Sequence, residues 1–221
     1  MVFQLERDRQ YDLTEIVRAV QNGVDTVQPT DEVEDDLHSS REALETLVDQ
    51  GQDVYGVTTG FGDLVEFEAH SDSTVQGERL IYHLSVGTGE SFASEIVRGA
   101  LLIRAITLSR GYSGVRSSTF ERFCDLIGSD LRPVVPRVGS LGASGDLVPM
   151  ANAILSLMGE GTHQRSGETV ESREFFRGSD YEPLEVDSRE ALALVNGVPL
   201  CTSVGCFALE RLDQRFEVLE D

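Results

Sequence analysis

The sequence predicts a mainly α-helical protein, and three observations carry that expectation. Apolar residues return every three or four positions over most of the 221 residues. Asp-x-x-Glu pairs, the signature of a capping box, stand before two of these stretches. Glycine follows several of them, where a left-handed residue ends a helix.

Taken in order, Asp12 and Glu15 form a capping box before a short helix that Gly23 ends. Thr30 caps a second helix whose Val33, Leu37, Leu44, Leu47 and Val48 make one stripe, with Gly51 as its stop. A glycine-rich loop at 56–62 leads into a polar stretch. A long helical pattern then runs around 93–109 with Ile96, Val97, Ala100, Leu101, Arg104 and Leu108, closed by Gly111. Another helix is predicted near 117–128, after which Pro133 and Pro136 force an extended passage into the glycine-rich segment 139–145. Leu147, Met150, Ala151, Ile154, Leu155 and Met158 again keep helical spacing. The charged stretch 162–186, with Gly167, Gly178 and Pro183, reads as a surface excursion with a short hairpin. Asp187 and Glu190 make the second capping box, for a helix interrupted at Asn196-Gly197. Pro199 suits the first turn of the last helix, which carries Val204, Phe207, Ala208, Leu212, Phe216 and Leu219. That amphipathic pattern stops at Asp221 without a capping residue, so a longer protein is expected.

With 18 basic and 39 acidic residues the formal charge is −21, which disfavours nucleic acid or an anionic membrane as partner, since both need a basic face. All 18 basic residues are arginine. Heavy acidity without lysine fits a halophilic protein, in which multimolar salt screens the self-repulsion; an acidic protein from a GC-rich genome is the alternative. Cys124, Cys201 and Cys206 lack metal-ligand spacing and read as core thiols. Neither a signal peptide nor an apolar run of membrane-spanning length is visible, so a cytoplasmic enzyme or binding protein is expected.

The segment Gly139-Ser140-Leu141-Gly142-Ala143-Ser144-Gly145-Asp146-Leu147 carries the most chemical information. By composition it is a loop in which Ser144 or Asp146 caps the next helix, or an anion site at that helix N-terminus. With Val148-Pro149-Met150-Ala151 and Gly159-Glu160-Gly161 after it, however, the stretch resembles the signature of the histidine, phenylalanine and tyrosine ammonia-lyases. Tyr55-Gly56-Val57-Thr58-Thr59-Gly60-Phe61-Gly62 resembles the tyrosine-bearing loop of the same family. Ser109-Arg110-Gly111-Tyr112-Ser113-Gly114-Val115-Arg116 and Leu194-Val195-Asn196-Gly197 extend the likeness, which runs from about residue 12 to the end.

The resemblance implies a mainly α fold of long bundled helices, of which residues 1–221 form the N-terminal part of the catalytic domain. It implies that Ala143, Ser144 and Gly145 cyclise to a methylidene-imidazolone, an internal electrophile that needs no external cofactor and no metal. Small neighbours suit that step: the Gly145 nitrogen must press on the Ala143 carbonyl carbon, and Ser144 then loses its hydroxyl. Tyr55 would be the base that takes a proton from the substrate β-carbon; near neutral pH it must be partly ionised, which a neighbour such as a helix N-terminus would favour. Gly62, His83, Leu84 and Asn196 would bind substrate, Asn196 at its amino-acid end and beside the ring-forming segment. The chain departs from the family pattern at Val198-Pro199, where a proline would re-aim the loop.

The implied reaction is non-oxidative elimination of ammonia from an aromatic L-amino acid to the trans-arylacrylate, by a homotetramer whose sites combine several subunits. The resemblance places His83-Leu84 around the substrate ring, and His-Leu there is similar to the tyrosine lyases, which implies tyrosine as substrate; an imidazole at the pocket end can pair with a phenolic hydroxyl. Histidine, giving urocanate, is the alternative substrate, an aminomutase the alternative enzyme, and an inactive truncated fragment the alternative of another class.

Overall fold

A computed structural model describes residues 1–62 and 72–220, with the side chains of 217–220 left aside. The Leu219 position of the last stripe and Asp221 therefore lie outside the described side chains, as does 63–71 in the polar stretch. The architecture is mainly helical, with three two-stranded β ribbons among the described residues.

The chain opens with β1 (Val2–Leu5), α1 (Leu13–Gln21) and β2 (Thr26–Pro29). The strands pair in parallel, Val2 opposite Thr26 and Leu5 opposite Pro29, with Phe3, Leu5 and Val27 alternating into the core. The Asp12 side chain accepts from the Glu15 N–H at 2.7 Å and so caps α1. Only half of the expected box forms, because the Glu15 carboxylate turns to Arg9 at 2.5 Å. Helix α2 (Asp31–Asp49) starts after Thr30 as expected, but the Thr30 side chain makes no capping bond and its hydroxyl is buried without a partner. Its stripe is buried only over the first turns: Val33 and Leu37 are enclosed, while Leu47 is 39% exposed.

Helix α3 (Ser73–Leu84) occupies part of the stretch read as merely polar. Its hidden face includes Gln76 and Gly77 as well as Leu80 and Ile81, which is why no apolar stripe announces it. Strand β3 (Thr88–Ser91) pairs antiparallel with β4 (Pro136–Val138), and between them run α4 (Ser94–Leu108) and α5 (Ser117–Gly128). Helix α4 is apolar on nearly every side and lies at the centre, against α1, α5 and α9 (Pro199–Glu220). Gly99 lets α9 come close: a Cβ there would meet the Ser203 hydroxyl at 2.5 Å, and that hydroxyl donates to the Ile96 carbonyl at 2.7 Å.

Helix α6 (Leu147–Leu157) is followed by the hairpin of β5 (Thr162–Arg165) and β6 (Glu168–Glu171), turned at Ser166-Gly167 with both φ positive, then by α7 (Ser172–Arg177). The excursion is less superficial than expected, since His163, Ser172, Leu184 and Val186 are buried. Helix α8 (Ser188–Val195) has a complete capping box between Asp187 and Glu190. It packs on α3 so tightly that a Cβ at Gly77 would lie 2.5 Å from the Asp187 carbonyl. Helices α3, α6 and α8 thus meet where the glycine-rich loops begin.

Candidate active site

The tripeptide 143–145 sits in a loop between β4 and α6, with φ of +71° at Gly142, +58° at Ser144 and +110° at Gly145. Ala143 and Ser144 face solvent. Gly145 forms a parallel bridge with Gly197, and a Cβ on it would stand 1.9 Å from the Gly197 carbonyl oxygen. Only glycine fits this approach, so the requirement at 145 comes from a neighbouring loop as well as from the crowding inside the tripeptide that sequence reasoning invoked. The same Gly197 oxygen accepts the Asp146 N–H at 2.6 Å. Across the loop, the Ser140 hydroxyl donates to the Gly145 carbonyl at 3.4 Å and accepts the Gly142 N–H at 3.3 Å.

Two side chains outside the loop hold the 196–197 turn. Arg104, 4% exposed on α4, donates from Nη2 to the Asn196 carbonyl at 2.8 Å, and the same nitrogen would be 2.5 Å from a Cβ on Gly197. Burial brings the Arg104 guanidinium down to about 10, with Asp146 working the other way. Asp146, also 4% exposed, stands at the start of α6 yet makes no capping bond to that helix. Its carboxylate instead accepts the Cys201 backbone N–H at 2.8 Å and the Cys201 thiol at 2.9 Å. Cys201 is the third residue of α9, so Asp146 satisfies an otherwise unpaired donor at the positive end of that helix.

Cys201 is thus not the core thiol expected; it is exposed, and the Asp146 hydrogen bond raises its pKa, whereas Cys124 and Cys206 are buried. Pro199 occupies the first position of α9, and Gly197 still meets Gly145, so Val198-Pro199 does not turn the loop away from the tripeptide. Sequence reasoning missed Arg104 and Cys201 as site residues; a lone cation among the apolar residues of α4 was the available signal.

The second loop is built around Tyr55, whose hydroxyl accepts the Gly62 N–H at 2.9 Å. That partner belongs to its own loop and is not the helix N-terminus anticipated. The Tyr55 ring meets Phe61 edge-on at 6.3 Å, and a Cβ on Gly56 would strike the Phe61 ring at 2.6 Å, so the loop closes over its own aromatic. The Gln76 amide on α3 donates to the Thr59 carbonyl at 3.3 Å, which ties the loop to the helix bearing His83 and Leu84. His83 is exposed at the end of α3; Leu84 is half-buried against the core. The adjacent Tyr82 is pushed up to about 12 by Glu160, which leaves it protonated and unsuited to replace Tyr55 as a base.

Among the described residues, neither the Tyr55 hydroxyl nor His83 hydrogen-bonds to the tripeptide. The two segments approach through Val86, whose carbonyl accepts from Asn152 of α6 at 3.3 Å and stands 3.1 Å from where a Cβ on Gly139 would lie. A cavity of about 740 Å³ beside the hairpin is lined by Gly159, Glu160 and Gly161 of the signature stretch with Arg173 and Phe176, and by none of the expected catalytic or substrate-binding residues. No cluster of His, Cys, Asp and Glu able to hold a metal, and no helix long and apolar enough to cross a membrane, occurs among the described residues.

A helical framework presenting these two glycine-rich loops is shared with known proteins. Residues 12–220 match the family described as aromatic amino acid lyase, and the chain belongs to that family. It is similar to the histidine ammonia-lyase of Alkaliphilus metalliredigens, with 37% identity over 77% of this chain and 34% of that protein. It is similar also to the histidine ammonia-lyase of Symbiobacterium thermophilum, with 39% identity over 89% of this chain and 39% of that protein. Among solved structures, the Pantoea agglomerans phenylalanine aminomutase superposes with a TM-score of 0.92 at 27% identity, covering 98% of this chain and 42% of that one. The chain therefore spans a little over a third of the length of these relatives.

The family uses an internal methylidene-imidazolone in place of an external cofactor. The residues present fit such a group. Gly145 carries no side chain at a point where none has room, and positive φ at both Ser144 and Gly145 folds the tripeptide back on itself.

Proposed function

We propose that the protein carrying this chain is an aromatic L-amino-acid ammonia-lyase whose electrophile forms from Ala143, Ser144 and Gly145. The observation that carries this reading is the seating of Gly145 against the Gly197 carbonyl, in a tripeptide bent by positive φ at Ser144 and Gly145 that leaves Ser144 in solvent reach. Once formed, the group supplies an electrophile for the substrate amine, making it a better leaving group. Tyr55, oriented by the Gly62 N–H, removes the proton from the substrate β-carbon. The Asn196 side chain, exposed beside the tripeptide, holds the amino-acid end of the substrate, with Gly62 lining its path. Assembly as a homotetramer, in which sites are completed by other subunits, agrees with the open setting of the tripeptide.

Histidine, converted to urocanate, is the substrate favoured by the names of the two relatives. Tyrosine is the second reading, carried by His83-Leu84: an exposed imidazole at the end of α3 offers a partner to a phenolic hydroxyl. The aminomutase title of the structural neighbour keeps return of ammonia to the β-carbon as an outcome of the test. Turnover of histidine, tyrosine and phenylalanine by the whole protein in high salt, with product analysis, separates these readings. Ammonia and urocanate formed fastest from histidine is the expected result, with His83→Phe changing relative kcat/KM by about tenfold if His83 reads the ring. A β-amino acid as main product overturns the lyase reading, and coumarate formed fastest from tyrosine reverses the substrate order.

A further inference from the structure

Gly145 and Gly197 have no side chains, so the two loops meet through backbone alone, by the Gly145–Gly197 bridge and the Asp146 N–H to the Gly197 carbonyl. Side chains outside the two glycines back that contact, and among the described residues the buried cation there is Arg104. An arginine at 4% exposure is costly, and among the described residues it has no ion pair and its Nε no hydrogen-bond partner. What it does make is the bond to the Asn196 carbonyl at 2.8 Å, with its Nη2 directly beneath Gly197. From the other side Asp146, anchored to the first turn of α9 through Cys201, returns its own N–H to the Gly197 oxygen at 2.6 Å. Gly197 is thereby held between a guanidinium on α4 and the backbone at the start of α6.

We propose that Arg104 is a positioning residue for formation of the electrophile: it braces the 196–197 turn so that the Gly197 carbonyl presses Gly145 into the conformation that cyclises. The inference rests on the functional reading above. In the step concerned, the Gly145 nitrogen bonds to the Ala143 carbonyl carbon. That carbonyl oxygen leaves as water with the amide protons of Gly145 and Ser144, and a carbon–nitrogen double bond forms between Ala143 and Ser144. The Ser144 α-proton and hydroxyl leave as a second water, and no oxidant is required. Arg104 touches none of these atoms; it fixes the surface against which the tripeptide folds, which is how a buried brace differs from a catalytic group.

The test is the intact mass of the whole protein carrying this chain, wild type beside Arg104→Met and Arg104→Lys, with circular dichroism and urea unfolding on the same samples. Wild type is expected to be lighter by two waters. In folded Arg104→Met the lighter species should fall below about half of the molecules, with Arg104→Lys between the two, since lysine keeps the charge but not the planar fork. If Arg104→Met does not fold, Gly197→Ala keeps the arginine while placing a methyl group against it, and the same loss is expected. Folded variants that lose both waters as completely as wild type overturn the brace. A folded wild-type protein that keeps both waters overturns the functional reading, and the brace with it.

Discussion

Glu190 has no exposed side-chain surface and is nevertheless ionised. Burial opposes its charge, but Arg116 binds it through two guanidinium nitrogens, and the backbone N–H groups of Asp187 and Arg116 complete its acceptors, so its pKa lies below the usual carboxylate range. The unfolded value is about 4.3, so the stabilisation is fully present above that pH and is lost as pH falls towards the depressed folded value. Glu190→Ala should cost roughly 3 kcal/mol at neutral pH, near the low end for a broken buried pair, because the freed arginine can be hydrated. Urea unfolding checks this, and the gap between variant and wild type should narrow below about pH 4. The Asp187–Glu190 box was legible as a sequence pattern, whereas the arginine comes from 74 residues away and left no local trace. The same limit applies at the candidate site. Ser144 and Gly145 announce themselves by their motif, but the partners of Asp146 and Gly197 come from α9 and α4, and only the fold brings them there.

Among the elements, those whose hidden face is apolar were legible. Helix α5 begins and ends where the periodicity places it, and α4 matches its pattern to within a residue or two. Helix α3 was missed because packing on α8 places Gly77 and Gln76 on its buried face beside Leu80 and Ile81, so close backbone approach interrupts the apolar stripe. The β1–β2 pair was missed because a parallel ribbon of four residues per strand has too few positions to show a period. Helix α9 begins at Pro199 as expected, but its face divides. Of the apolar positions expected on it, Phe207 is buried against α4, while Leu212 and Phe216, with Leu209, are exposed by 48, 61 and 51%. That exposed row lies on the same helix whose first turn anchors Asp146.

For the molecule as a whole, a charge of −21 with arginine as the only strong base sets the response to solvent. We propose salt adaptation on that balance. Raising ionic strength from 0.15 M to 1 M shortens the screening length from about 8 Å to about 3 Å, which removes most repulsion between surface carboxylates while weakening the half-buried Arg116–Glu190 pair much less. The thermal midpoint should therefore rise with added sodium chloride between these concentrations, measured by calorimetry; a midpoint that is flat or falls would point to an acidic protein without salt adaptation. The central claim, that this acidic helical framework exists to fold three residues into an electrophile, is tested most directly by the mass of one peptide. Proteolysis of the folded, purified whole protein and mass spectrometry of the fragment containing 139–147 should give a peptide lighter than its sequence by two waters, with Ser144→Ala unable to lose the second. A wild-type fragment at its full sequence mass would contradict the account.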